Sequence, residues 1–391
     1  MKLNKVIMLL FCLVLVACVH SSSTPPITQA TLVLTDGTLI DGTGADPVPN
    51  VLVAIGNQHI LAVGHASQVY VPANAKVIDL NGAFILPGFI NAHVHDAYDE
   101  RRLEAWAQAG VTTVRDEGII SGYNQLERLL ALRNQLAGMP EYARLVSSGY
   151  MITVPGGYGL LRVHSAEEAC QEVSNELKAG VDVIKLTMED GYGSATNLSL
   201  LSSDELSAII STAHSQGILV SAHVTEAKFL QQVVDAGVDD TAHIPWDEIP
   251  QSLIQQMLNQ DVYAITTLTV MDAYGLAEGA SSNLSKLVEA GINIAMGNDY
   301  TCIPQNYFNH FELGMPMHEI SLMSNAGMTP MQIIIASTRN AAHVCGLEHD
   351  LGTVEVGKLA DILILNADPL QDLSALTQVK MVIHNGEIIR Q

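Results

Sequence analysis

Short runs of alternating apolar and polar residues occupy both ends of the chain. Near the start they read TLVLTDGTLIDGTG and NVLVAIGNQHILAVG, and near the end VKMVIHNGEII. Asp-Gly, Gly-Asn and Asn-Gly pairs break these runs, as they do at tight turns between antiparallel strands. We therefore predict that residues 31–84 and 350–391 together build one small β-sandwich.

Between these ends, over residues 85–349, apolar runs alternate with amphipathic segments, which is typical of βα units and a parallel sheet. Ser165-x-x-Glu168 and Ser202-x-x-Glu205 mark helix starts as capping boxes. Eight apolar runs are strand candidates, the number that closes a barrel. We predict an α/β fold, a (β/α)8 TIM-like barrel carrying the β-sandwich. The candidates are FILPGFINAHVH, GVTTVRDEG, ARLVSSGYMIT, VDVIKLTME, ILVSAHVTE, VDDTAHIP, VYAITTL and INIAMGNDY.

Polar residues finish or interrupt five of these apolar runs. Alternate residues of a strand share a face, so two histidines two positions apart can point into one cavity. The carboxyl ends of barrel strands converge on one mouth, where chemistry is expected. One such histidine is usually structural, but a set at corresponding strand ends predicts a site. The candidates are His93, His95, Lys185, His223, His243 and Asp299.

Composition narrows the partners of this site. The chain has 391 residues, 48% of them hydrophobic, and can bury a large core. Its formal net charge of -23 disfavours nucleic acid and anionic membrane surfaces. Cys170, Cys302 and Cys345 are widely spaced and odd in number, so no disulfide framework is indicated.

The first residues have the composition of a targeting signal. Lys2 and Lys5 precede an apolar stretch that ends at Cys18, a pattern typical of a secretory signal. The tetrapeptide Leu-Val-Ala-Cys at residues 15–18 resembles a bacterial lipoprotein cleavage box, which implies lipidation of Cys18. We expect a signal peptide over residues 1–18, a Ser/Pro tether over residues 19–30, and a lipid-anchored protein on the outer membrane facing the periplasm. The alternative is a short N-terminal anchor with an incidental cysteine.

Taken together and in order, the motifs of the chain resemble the metal-dependent amidohydrolase superfamily, in its imidazolonepropionase-like and prolidase-like branch. The resemblance covers nearly everything after the tether. The motifs that carry it are Pro87-Gly88-Phe89-Ile90 leading into His93-x-His95, Ile184-Lys185, Ala222-His223, Ala242-His243, Gly297-Asn298-Asp299 and VEVGKLADILIL at residues 354–365.

The resemblance implies a binuclear site for divalent metal ions. Zn²⁺ is the expected metal, since imidazoles and a carboxylate suit it. One ion is then assigned to His93, His95 and Asp299, and the other to His223 and His243. A protonated lysine cannot ligate a cation, so the resemblance makes Lys185 a carboxylated bridge between the ions. The alternative is a structural ion pair of Lys185 with Glu189 or Asp190.

The implied activity is hydrolysis of an amide bond in a small molecule or a dipeptide, with a metal-activated water as nucleophile. Asp299 is the expected general base, which passes the nucleophile's proton to the leaving amine. Two alternatives stay open: lactonase or phosphotriesterase activity, and a metal-binding surface lipoprotein without turnover. The membrane is expected as a partner only through the lipid anchor, and homo-oligomer formation is left open.

Several positions depart from the family pattern and leave the substrate undetermined. Tyr158 follows Gly156-Gly157 where many relatives have histidine, which makes it a candidate substrate contact. Tyr150, Tyr192 and Tyr300 are further candidates, each with ordinary packing as the alternative. At the second strand end, the sequence Arg-Asp-Glu at residues 115–117 fits either a substrate contact or ion pairs around the mouth.

Overall fold

The computed structural model describes residues 27–65, 69, 71–120, 125–192, 195–301 and 311–391. The predicted signal peptide, Cys18 and most of the predicted tether lie outside these residues. The tether was predicted to reach residue 30, but Ile27–Gln29 form a 3₁₀ helix and Ala30 is buried against the neighbouring sheet. In the described part of the chain, no helix combines the length and apolar character needed to cross a membrane.

The described residues form twenty strands. They are β1 Leu32–Leu39, β2 Val48–Gly56, β3 His59–His65, β4 Lys76–Asp79, β5 Phe84–Pro87, β6 Phe89–Val94, β7 Val111–Asp116, β8 Arg144–Ser147, β9 Met151–Thr153, β10 Leu161–Arg162, β11 Ile184–Thr187, β12 Gly191–Tyr192, β13 Ala195–Thr196, β14 Val220–His223, β15 Asp240–Thr241, β16 Tyr263–Ile265, β17 Ile294–Ala295, β18 Ile362–Leu365, β19 Val379–His384 and β20 Glu387–Arg390.

Eleven α-helices lie within the same described residues. They are α1 Glu100–Gln108, α2 Leu126–Leu136, α3 Ala166–Ala179, α4 Ser203–His214, α5 Ala227–Ala236, α6 Gln251–Asn259, α7 Leu268–Ala273, α8 Ala277–Ala290, α9 Met317–Asn325, α10 Pro330–Ala336 and α11 Arg339–Val344.

Strands from both chain ends pair in one eight-stranded sheet. Its order is β20-β19-β18-β5-β1-β2-β3, with β4 alongside β1. The joint between the ends is the antiparallel pairing of β18 with β5, in which Ile362 faces Pro87 and Leu365 faces Phe84. The predicted union of the two ends is therefore present as a sheet, while the sandwich remains a prediction.

The middle of the chain forms parallel strands in two sheets. One has the order β6-β7-β8 and the other β10-β9-β11-β14-β15-β16-β17. These strands are buried along most of their length because helices cover them. Hydrogen bonds link the two sheets in two places: Ala92 N donates to Met296 O (2.9 Å) next to β17, and Asp182 N donates to Ser147 O (2.8 Å) just before β11. The architecture is α/β, as predicted.

The predicted helix starts differ in how completely they are capped. The Ser202 side chain accepts from the Glu205 amide and the Glu205 carboxylate accepts from the Ser202 amide, a full capping box on α4. At α3, Ser165 caps the amide of Glu168, but the Glu168 carboxylate accepts from the His164 amide (2.7 Å). The second box is therefore only half formed.

Candidate active site

Two histidines and one aspartate converge where β6 ends. The Nε2 atoms of His93 and His95 lie 3.2 and 3.3 Å from Asp299 Oδ1. The two histidines share a face of the extended chain, since one residue separates them. Asp299 reaches them from the segment after β17, and its amide donates to the His93 carbonyl (2.9 Å). All three donor atoms lie within 4.8 Å of one another.

Backbone carbonyls orient both imidazoles. His93 Nδ1 lies 2.9 Å from Ala242 O, and His95 Nδ1 lies 2.8 Å from Gly118 O. A carbonyl oxygen can only accept, so each Nδ1 carries the proton of that hydrogen bond. Each Nε2 then faces Asp299, and in the neutral tautomer its lone pair is available to a cation there, which is the arrangement that metal-binding histidines adopt.

Burial and the neighbouring charges shift the pKa values of the three side chains in different directions. Burial lowers the pKa of His93 to about 4. Burial acts in the same direction on His95, but its hydrogen bond to Asp299 outweighs this and raises the pKa to about 9. Burial alone would raise the pKa of Asp299, yet His93 and His95 hold that pKa well below its usual range. Asp299 is therefore a carboxylate anion at neutral pH.

The other two predicted histidines stand beside this group. His223 Nδ1 lies 2.8 Å from His243 Nε2, and the rings of His93 and His243 have centroids 4.9 Å apart. His243 Nδ1 lies 2.8 Å from Thr267 Oγ1. Burial lowers the pKa of both His223 and His243, which leaves neutral imidazoles that can act as ligands.

Lys185 lies in β11 and its ammonium meets an unexpected partner. Lys185 Nζ donates to Glu117 Oε2, whereas the sequence had offered Glu189 or Asp190 as the ion-pair partner. That alternative named the wrong carboxylates, because Glu117, directly after β7 in the three-stranded sheet, reaches Lys185 of β11 in the seven-stranded sheet. Ser221 Oγ also donates to Glu117 Oε2 (2.8 Å).

Arg115 forms buried ion pairs with Glu117 and with Asp240. Arg115 Nε lies 2.8 Å from Glu117 Oε1, and Arg115 Nη1 donates to Asp240 Oδ2 (2.9 Å). All three side chains are fully buried. The sequence left a substrate contact and ion pairs as alternatives for residues 115–117. The structure shows the ion pairs for Arg115 and Glu117.

A cavity of about 240 Å³ opens beside the converging ligands. Of the predicted tyrosines, Tyr158 lines it, with its ring centroid 4.9 Å from that of His223. Tyr300 packs edge-to-face on Trp106 (5.2 Å) and is not among the described lining residues. Tyr150 is engaged elsewhere, where its hydroxyl accepts from the Gln125 amide (2.9 Å). The side chain of Tyr192 lies outside the described residues.

The structure adds residues that the strand-end pattern did not reveal. Glu189 follows β11, lies 3.7 Å from His223 Nε2 and accepts a hydrogen bond from Thr225. The sequence could have indicated Glu189 as a site residue, because it directly follows an apolar run. Tyr274 and Phe311 also line the cavity. They come from helical and loop segments, where sequence periodicity gives no indication of a site.

The donor chemistry of the first group fits a divalent cation. Two imidazole nitrogens and one carboxylate oxygen are ligands that zinc and similar metals accept, and each histidine is held by a hydrogen bond at its other nitrogen. His93, His95 and Asp299 are thus a candidate metal site. His223, His243 and Lys185 line the same cavity.

An α/β fold that carries a buried group of histidines and a carboxylate beside a cavity is typical of metal-dependent hydrolases. A model of the amidohydrolase family matches residues 84–389. The chain therefore belongs to the amidohydrolase family, whose hydrolase relatives act on carbon–nitrogen bonds, and the prediction of an enzyme of this class is confirmed.

Individual relatives share much of the chain. Ochratoxinase from Aspergillus niger is 25% identical, with 89% of this chain and 84% of the relative covered. Imidazolonepropionase from Symbiobacterium thermophilum is also 25% identical, with 82% and 84% covered. The crystal structure of A. niger ochratoxinase matches with a TM-score of 0.79 and 19% identity, covering 92% of this chain and 95% of that chain. A Xaa-Pro dipeptidase with bound methionine also gives 0.79, at 22% identity, covering 92% and 100%.

Proposed function

We propose that this enzyme hydrolyses an amide bond in a small molecule, with Asp299 as the general base. The observation that carries the proposal is the convergence of His93, His95 and Asp299 beside a cavity that a small substrate can enter. The relatives that hydrolyse carbon–nitrogen bonds support the same reaction class. We also propose that the two parallel sheets are parts of one (β/α)8 barrel, supported by the hydrogen bonds that link them in two places.

Divalent metal would be held by His93, His95 and Asp299. When bound, such an ion supplies Lewis acidity for the substrate carbonyl and lowers the pKa of water. We further propose that the metal is zinc, and that His223, His243 and a carboxylated Lys185 hold a second ion. The proximity of these three side chains to the first group in one cavity supports this arrangement.

The protein's own groups perform the proton transfer. Asp299 is anionic, so it can accept the proton of the attacking water and deliver it to the leaving nitrogen. Its backbone conformation, with φ of 56°, is one that aspartate and asparagine tolerate better than most residues. His93 and His95 hold the carboxylate in place by contacts of 3.2 and 3.3 Å.

Asp299→Asn tests the role of this carboxylate. Asparagine keeps the size, one coordinating oxygen and the left-handed backbone, but it cannot accept the proton. We expect kcat to fall by roughly 10² to 10⁴, the range for loss of a positioned general base, with a smaller change in KM. The measurement compares kcat, KM and metal content for an amide found by screening dipeptides, acyl amino acids, lactones and phosphotriesters.

Asp96→Asn is the matched control for this experiment. Asp96 also has a left-handed backbone (φ 57°) near the site, and it is not among the described lining residues. Its substitution should leave kcat within about twofold. Wild-type kcat in metal-loaded Asp299→Asn would rule out the proposed base. A metal-loaded wild type that turns over lactones or phosphotriesters but no amide would favour the alternative hydrolase activities.

We propose in addition that the protein is a lipoprotein of the bacterial cell envelope, attached through Cys18 to the outer membrane. The lipobox-like residues 15–18 and the apolar stretch before them support this location. Mass spectrometry of the membrane-purified chain should show an acylated N-terminus at Cys18. Cys18→Ser should release the protein from the membrane fraction, and a mature chain beginning elsewhere without acyl mass would contradict the anchor.

A further inference from the structure

Part of the cavity lining is apolar. Aromatic and aliphatic side chains from several elements form this surface. They are Met151, Tyr158, Leu198, Met271, Tyr274 and Phe311. Such side chains gain free energy when an apolar or aromatic group of a substrate replaces water against them.

Among the residues that the structure describes, no lysine or arginine with a free charge lines this surface. Among the lining residues that the structure describes, Lys185 is the only lysine or arginine, and its Nζ is paired with the buried Glu117. The nearby Lys228 pairs with Asp190 (2.8 Å) and Glu226 (3.2 Å). The undescribed stretches after residue 65 contain no lysine or arginine in their sequence.

Anionic groups are present in the same cavity. Asp299 and Glu189 both line it, and Glu189 accepts a hydrogen bond from Thr225. A carboxylate on the substrate would therefore lose its hydration without gaining a lysine or arginine partner, and it would approach two acidic side chains.

We infer that the substrate group next to the scissile amide is apolar or aromatic and carries no free carboxylate. The inference rests on the proposed amide hydrolysis and narrows it, because a dipeptide ends in a carboxylate, and the described lining offers it no lysine or arginine outside the Lys185–Glu117 pair. Neutral N-acyl amides with aromatic substituents are the chemical class that fits both the apolar surface and the charge distribution.

A matched pair of ligands tests this inference. N-benzoylphenylalaninamide and N-benzoylphenylalanine share the benzoyl–nitrogen bond and differ only in carboxamide against carboxylate. Any effect of bound metal on the shared amide is therefore common to both. We expect the carboxamide to be favoured at least tenfold, both in kcat/KM for benzoate release and in Kd measured calorimetrically with the full chain.

The two readouts separate this inference from the proposed function. A tenfold binding preference for the carboxamide without any benzoate release would support the substrate class and count against hydrolysis. Equal or tighter binding of the carboxylate, or no binding of the carboxamide, would overturn the substrate class whatever the turnover.

Charge-introducing variants provide the converse test. Tyr274 lines the cavity and is 45% exposed, so Tyr274→Arg should fold and place a cation where none is described. We expect it to strengthen carboxylate binding about tenfold. Phe311→Lys is the second variant at the same surface. Leu258→Arg, at a 39% exposed position of α6, adds the same charge away from the lining and should change neither ligand. Unchanged carboxylate binding in both cavity variants would overturn the inference.

Discussion

Three residues at the site hold a left-handed backbone that side chains other than glycine seldom adopt. They are Asp96 (φ 57°), Thr267 (φ 42°) and Asp299 (φ 56°). For the β-branched Thr267 this conformation costs the most, and it persists here in a fully buried position where the hydroxyl meets His243. At Asp299 the left-handed backbone therefore belongs to a side chain that lines the cavity, and at Thr267 it belongs to the hydrogen-bond partner of one. Sequence patterns carry no signal for it, since propensity favours the opposite conformation.

At Lys185 the sequence predicted the position but not the contacts. The lysine interrupts an apolar run, which marks it as a special residue. Its partner Glu117 is 68 positions away and becomes a neighbour only because the end of β7 in one parallel sheet lies next to β11 of the other. Long-range pairings of this kind depend on strand order, which periodicity does not define.

Lys185→Ala tests whether this side chain helps to hold a second ion. If carboxylated Lys185 is a ligand, its loss should reduce the metal content from about two ions per chain to about one. Elemental analysis of protein expressed with zinc and bicarbonate gives the count. The control is Ser221→Ala, which removes the hydroxyl that donates to Glu117, leaves Lys185 in place and should keep both ions. An unchanged count in Lys185→Ala would make the ion pair with Glu117 its whole role.

At the scale of elements, the alternation of apolar runs and amphipathic segments was enough to predict strands and helices in the correct order. Strand lengths were less predictable. The run VDDTAHIP gives only Asp240–Thr241 as β15, and INIAMGNDY gives only Ile294–Ala295 as β17. In both cases the chain leaves the sheet early so that His243 and Asp299 can turn into the cavity. At these two positions the geometry of the site therefore makes the strand shorter than the apolar run predicts.

Helix α3 illustrates a polar contact that an amphipathic pattern hides. It buries Glu176, whose Oε1 accepts from the Tyr150 amide (2.9 Å), while Oε2 has no partner among the described residues. Gly149 has φ of 70°, and a Cβ there would lie 2.8 Å from Glu176 Oε1, so glycine is required at this turn. Burial raises the pKa of Glu176 to about 8.

This shift predicts a pH-dependent stability that Glu176→Gln should remove. The folded state holds the proton more tightly, so the contribution is complete below the ordinary pKa near 4.5 and is lost as the pH rises towards 8. Urea unfolding measures the free energy of unfolding of both proteins at each pH. Between pH 5 and pH 8, the wild type should lose a few kcal/mol of stability relative to Glu176→Gln. Glu167→Gln, at an exposed position of the same helix, is the control. Parallel pH profiles for wild type and Glu176→Gln would contradict the buried neutral acid.

At the scale of the whole molecule, a partly buried ion pair ties the sheet made by the chain ends to the parallel strands. Arg144, the first residue of β8, donates to Asp361 Oδ2 (2.7 Å) and to Asn385 Oδ1 (2.6 Å). Asp361 lies just before β18 and Asn385 in the turn before β20. Arg144 thus connects the central strands to the C-terminal part of the eight-stranded sheet. The sequence predicted that the chain ends combine, but it gave no indication of this link.

Arg144→Met should weaken that link more than the loss of an ordinary ion pair. The Asp361 side chain is 3% exposed, so the substitution would leave a buried carboxylate without its cation. Arg144 itself is 22% exposed, which reduces the cost, and we expect a loss of roughly 2–4 kcal/mol in the free energy of unfolding. Urea unfolding at pH 7 measures it. Arg133→Met breaks the more exposed pair with Asp182 and should cost about 1 kcal/mol or less.

The pH dependence of the free energy of unfolding tests whether the unpaired Asp361 carboxylate causes the loss of stability in Arg144→Met. Burial raises the pKa of Asp361, but Arg144 outweighs it and lowers that pKa, so this stabilisation is present at neutral pH and is lost as the pH falls through the folded-state value. The gap between wild type and Arg144→Met should therefore narrow in acid. At pH 7, adding Asp361→Asn to Arg144→Met should recover part of the loss, because it removes the unpaired charge. A gap that is independent of pH, together with no recovery in the double variant, would mean that Arg144 acts through packing of its aliphatic stem instead of through its charge.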